Sequence, residues 1–109
     1  MTDLPKFAVS PGSVLRHEIE EELGISQHRL ADAIGVSRLT INEIVNGKRT
    51  VTAEMALRLG KALGTDPRVW LNLQQDVDLL RAREKLGSMD DVKVLRKPPD
   101  DEVESRAAE

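Results

Sequence analysis

Ser37, Arg38, Thr40, Asn42 and Glu43 lie within seven consecutive residues, and Asn46, Lys48 and Arg49 follow at once. Such a set can form hydrogen bonds with a nucleic acid. Arg38 can donate twice to guanine, and Asn42 can pair both ends of its amide with adenine. A Thr40 hydroxyl suits more than one base, whereas Glu43 either accepts from a cytosine amine or orients its Arg and Asn neighbours. Ser37 and Gln27 each stand at or next to a helix start, where side chains join backbone amides in holding phosphate. Lys48 and Arg49 are spaced for phosphate contact.

These groups can act together only on a positioned frame. The frame is legible in residues 26 to 49. Ser26 is an N-cap type, whose hydroxyl accepts from free first-turn amides. Leu30, Ala31 and Ile34 recur at helical spacing as one apolar stripe, with His28, Arg29 and Asp32 on the other side. Gly35 follows where a left-handed helix end is usual and only glycine is unstrained. Val36 is expected to plug the corner, and Ser37 to cap a second helix. Ile41, Ile44 and Val45 form that helix's buried stripe, leaving Arg38, Thr40, Asn42 and Glu43 outward. Asn46-Gly47 stops it. Two short helices around such a corner, the second with a polar outer face, make a helix-turn-helix fit for a DNA major groove. Each piece alone is common in helical domains. The DNA reading rests on the whole pattern.

At these residues the chain resembles the phage-repressor (XRE/Cro) type of helix-turn-helix. More narrowly, it looks like the HigA/VapI group of antitoxins. Pro11-Gly12 with Leu15 and Arg16, then Leu23-Gly24 and Ser26-Gln27, match the group's opening. The run Ile41-Asn42-Glu43-Ile44-Val45-Asn46-Gly47-Lys48-Arg49 matches next. Thr52-Ala53, Ala56-Leu57-Arg58-Leu59, Leu63-Gly64 and Trp70-Leu71-Asn72-Leu73-Gln74 complete the match. The likeness covers about residues 10 to 80. Its specific parts are the Ile41–Arg49 run and the Trp70 block.

Composition narrows the class. At 109 residues the chain suits one domain with a modest core, and with one Phe, one Trp and no Tyr that core must be aliphatic. Cysteine is absent, so no disulfide framework or thiolate site exists. No apolar run suits a membrane span or a secretory signal, and the expected setting is cytoplasmic. His17 and His28 have no ligand spacing that suggests zinc, and no glycine-rich phosphate loop occurs. No catalysis, cofactor, metal or small-molecule substrate is assigned. Net charge is −3, which opposes non-specific DNA binding. The local balance is different: Arg38, Lys48 and Arg49 face Glu43 alone within residues 37 to 49. A local positive patch suffices for phosphate contact.

The expected fold is all-α: a five-helix, phage-repressor-like domain over residues 10 to 87, with helices 2 and 3 as the helix-turn-helix. Residues 1 to 9 form an arm from which Phe7 and Val9 can tuck against the core. Ser10-Pro11 opens helix 1, which runs to about Glu22 with Val14, Leu15, Ile19 and Leu23 as its apolar side and Gly24 as its end. Its glutamates form either a solvated face or a dock for a basic protein. Thr52 caps helix 4, with Glu54 near its positive end. Ala56, Leu59, Gly60 and Leu63 make its buried face, and Gly64 closes it. Asp66 and Pro67 open helix 5, where Trp70, Leu73, Val77 and Leu80 recur at near-heptad spacing. They either pair with a second copy or, in the case of Trp70, close the protomer's own core. Residues 88 to 109 carry seven acids against Lys93, Arg96, Lys97 and Arg106, with Pro98-Pro99 between. This charged tail is expected to be disordered alone. Val92-Lys93-Val94-Leu95 can add a strand to a partner's sheet edge, or the tail only solubilises.

Two functions follow. One is a plain repressor, a homodimer with two reading helices in successive major grooves of a palindromic double-stranded operator, about 34 Å apart. The other adds an inhibitor role, which rests on the resemblance alone. The HigA likeness implies an antitoxin that neutralises a small basic toxin, a RelE-like ribosome-dependent mRNA endonuclease, and represses its own operon. The acidic helix 1 and tail suit a basic partner, and toxin contact is expected on a face distant from Arg38.

Overall fold

The computed structural model of the protein describes residues 7 to 97. Residues 1 to 6 of the arm, and the tail from Pro98 with its charged end, lie outside the described residues. Helix α1 (Pro11–Arg16) continues into a π-helical segment (His17–Glu22), and α2 (Gln27–Ile34), α3 (Arg38–Val45), α4 (Ala53–Leu63) and α5 (Pro67–Leu86) follow. No strand occurs among the described residues.

Local chemistry sets most of these boundaries. Ser10, Ser26, Ser37 and Thr52 each turn a side-chain oxygen onto the amide three residues ahead, at 3.1 to 3.2 Å. Asp66 accepts from the Arg68 amide at 2.9 Å. Gly35 and Gly64 end α2 and α4 with φ of 76° and 72°, a conformation that costs glycine little.

The helices close over one aliphatic core: Leu15, Ile19, Leu30, Ala31, Ile34, Ile41, Ile44, Val45, Val51, Ala56 and Leu59, with Trp70 among them. Val36 packs against its edge, at the corner between α2 and α3. Helix α2 packs on α3 and α4, α1 on α3 and α5, and α4 on α5. Gly12 makes the α1–α3 crossing close. A Cβ there would meet the Ile44 and Val45 carbonyl oxygens, the latter at 2.6 Å. Those atoms belong to α3, so Gly12 sets how deeply α3 sits against α1.

Three expectations are corrected. Helix 1 does not stay α-helical to Glu22. The Leu23 amide donates to the Glu18 carbonyl at 2.9 Å, five residues back, and Ile25 donates to Ile19 at 2.8 Å. The first of these wide turns takes in one extra residue and the second two; Ile19 stays buried with Leu15 while Leu23 is 52% exposed. The same register brings His17 and Glu22 side by side at 3.4 Å, five residues apart. Phe7 and Val9 do not tuck in; Phe7 is 77% exposed. Trp70 does not face a partner. It is 1% exposed and its indole N–H donates to Thr65 Oγ1 at 2.8 Å, so the ring fills the core and its polar edge is satisfied there. Val77 is also buried, whereas Leu73 and Leu80 stay half-buried.

Candidate nucleic-acid interface

Arg38 opens α3 exposed, and its side chain makes no hydrogen bond or ion pair among the described residues. The helix start orients it: Ser37 Oγ accepts from the Thr40 amide at 3.1 Å and shares a hydrogen bond with Thr40 Oγ1 at 2.9 Å. This hydroxyl pair fixes the first turn and leaves the Arg38 guanidinium free to donate outward. Lys48, exposed in the exit loop, likewise has no ion-pair partner among the described residues.

Four other side chains form a relay across three helices. Arg16 Nη2 donates to Asn46 Oδ1 at 3.4 Å, Asn46 Nδ2 to Asn42 Oδ1 at 3.2 Å, and Asn42 Nδ2 to Gln27 Oε1 at 3.2 Å. Donors all run one way, so the relay ends on the side-chain NH2 of Gln27 at the start of α2, which has no partner among the described residues. That group can donate to a phosphate oxygen. Asn42 thus has both ends of its amide already engaged. It retains one N–H and one lone pair, and its geometry suits holding Gln27 better than a fresh bidentate contact. Arg16 belongs to the site and was not expected there. Its only sequence signal was its position in the α1 opening.

Glu43 is likewise occupied. Arg49 donates to its Oε1 from Nε at 2.9 Å and from Nη2 at 2.7 Å, both atoms on one oxygen. Of the two roles open to Glu43, the geometry fits orientation of an arginine. The pair holds Arg49 against α3 as the chain leaves it. The loop beyond is fixed from α5: the Val51 amide donates to buried Gln74 Oε1 at 2.9 Å, and Gln74 Nε2 donates to Asp78 at 2.9 Å. Gln74 thereby anchors the segment carrying Lys48 and Arg49.

Leu39 is the other residue the sequence left unnoticed. It lies between Arg38 and Thr40 and is 63% exposed. Among the described residues no group of three or more His, Cys, Asp or Glu side chains could hold a metal, and no helix is long and apolar enough to cross a membrane.

A helix-turn-helix family model matches residues 15 to 70. Virulence-associated protein I of Dichelobacter nodosus is 44% identical over 82 residues, spanning 75% of this chain and 76% of its own. Antitoxin HigA-1 of Vibrio cholerae is 43% identical over 77 residues, 71% of this chain and 72% of its own. The chain belongs to the HigA/VapI group of XRE-type helix-turn-helix proteins. The structure agrees: antitoxin HigA of Pseudomonas aeruginosa, solved with the higBA promoter, superposes with a TM-score of 0.77 at 36% identity. That match covers 83% of this chain and all of the other. These family members are named as antitoxins or virulence-associated proteins and not for a reaction.

Proposed function

We propose that this chain is the operator-binding antitoxin of a HigBA-like type II toxin–antitoxin system in the cytoplasm. It binds double-stranded operator DNA as a homodimer, represses its own operon and neutralises a small basic toxin, a RelE-like mRNA endonuclease. The observation that carries the DNA role is the exposed Arg38 guanidinium, without a partner among the described residues, on a capped helix beside a relay that ends on the Gln27 side-chain amide. That the similar P. aeruginosa antitoxin HigA was solved with the higBA promoter supports the DNA-binding role.

Ser37, Thr40 and Gln27 hold backbone phosphate and fix register. Arg38 reads a guanine edge. Asn42, Asn46 and Glu43 act by orienting Gln27 and Arg49, and Lys48 and Arg49 meet phosphate. Leu73 and Leu80 keep the pairing role on α5, with Val69 on the same flank; Trp70 and Val77 support that flank from the core. Exposed Glu20, Glu21 and Glu22 favour a basic protein partner, by charge complementarity.

The test is genetic and biochemical together. The reading frame beside this gene should encode a small basic protein that arrests growth alone and is silenced by co-expression with this chain. The pair should copurify and still retard DNA from upstream of the operon. A neighbour harmless on its own would leave a plain repressor.

A further inference from the structure

Leu39 occupies an unusual place on α3. The core side of this helix is Ile41, Ile44 and Val45. At 100° per residue, Leu39, Glu43 and Asn46 line the opposite side, at positions i, i+4 and i+7. An apolar side chain therefore stands at the front of the most outward line of the reading helix. It is not among the residues packed on the core. Its polar companions on that line are engaged: Glu43 holds Arg49, and Asn46 bridges Arg16 and Asn42.

We propose that Leu39 is a specificity-determining residue that reads the C5-methyl group of thymine. Of the base edges in a major groove, only thymine presents a methyl to an apolar contact. Leu39 sits one residue from Arg38, so its contact lies beside the base pair that Arg38 addresses. The two side chains together favour a guanine with a thymine nearby. An exposed leucine on a water-facing helix gains nothing from burial; in a groove its methyls and the thymine methyl leave water together.

This inference rests on the DNA-binding role proposed above, and its test separates the two. Duplexes are selected from a random pool by the full-length wild-type protein. Each thymine of the winning site is then replaced by uracil, which removes only the methyl. Wild type should lose about fourfold in affinity at one thymine per half-site, the effect of one methyl returned to water. Leu39→Ala, which keeps the fold because the side chain is exposed, should bind more weakly and no longer distinguish thymine from uracil there. Leu39→Met should keep the distinction. If wild type binds its site but no uracil substitution matters, or if Leu39→Ala keeps the fourfold difference, the Leu39 assignment is wrong while DNA binding stands. If no duplex is enriched at all, the DNA-binding role fails and this assignment falls with it.

Discussion

Arg38 and Asn42 stand four residues apart on one helix, yet they have different freedom. Among the described residues the Arg38 side chain has no partner, and that of Asn42 has two. Replacing Arg38 with alanine should weaken operator binding by about 1–3 kcal/mol at unchanged melting temperature. An unchanged operator affinity would remove Arg38 from the reading set. Gln74 works through structure. Its truncation to alanine leaves the buried Val51 amide without its acceptor, which costs about 1–3 kcal/mol of stability. Denaturant melts should show this, and a wild-type midpoint would mean the amide finds another partner. Asp66 supplies a pH test. Hydrogen bonds from the Arg68 side chain and amide lower its pKa from the ordinary 3.8 to about 2. A lowered carboxylate contributes stability in full above its unfolded value and loses it as pH falls through the folded one. The Asp66 contribution should therefore fade between 3.8 and about 2. Asp66→Asn keeps a capping side chain but cannot titrate, so its melting temperature should vary less across that window. Equal acid limbs for the two proteins would count against this cap.

At the scale of elements, what could be read from sequence was what neighbours in the chain decide. Ser26, Ser37, Thr52 and Asp66 mark helix starts because each caps an amide two or three residues ahead. Gly35 and Gly64 mark ends because their backbone conformation is local. Ile41, Ile44 and Val45 declare a buried side by spacing alone. Choices made by distant packing stayed hidden. Nothing within helix 1 announces that its second half widens into π-turns; the switch keeps Ile19 under Leu15 and turns Leu23 out. Trp70 has the same spacing whether it faces a partner or the core, and only the lie of α5 against Thr65 and α4 decides. The ties of Glu43 to Arg49 and of Asn42 to Gln27 join residues whose separation depends on the folded corner. Leu39 escaped notice because a single exposed leucine is ordinary on any protein surface. Gly12 belongs at this scale too. A Cβ there meets backbone oxygens of α3, which cannot swing aside as a side chain would. Gly12→Ala should cost about 1–3 kcal/mol, as overpacking does, and should reduce DNA affinity along with stability because α3 is the element displaced. Melting and titration of the variant check both. A destabilised protein with undiminished affinity would uncouple the α1–α3 crossing from reading.

For the whole molecule, net charge of −3 and a local basic patch have to be reconciled. Weak bulk attraction to DNA leaves affinity to specific contacts and to pairing, since two linked reading helices gain by effective concentration what one cannot. Leu80 is the place to test the proposed pairing. It is half-buried in the protomer and lies on the α5 flank with Leu73. Leu80→Asp should shift the mass in solution from dimer to monomer and cut operator affinity at least tenfold, while the protomer core, closed by Trp70, persists. A dimeric mass for that variant would move the interface to another face. In the proposed function a pair of α3 helices, each led by Arg38, reads operator DNA. Footprinting the wild-type protein on DNA upstream of its own gene tests this most directly. Two protected half-sites are expected, their centres about one helical turn apart, roughly 10 base pairs, with protection weakened in Arg38→Ala. No protected site, or one that Arg38→Ala leaves unchanged, would contradict it.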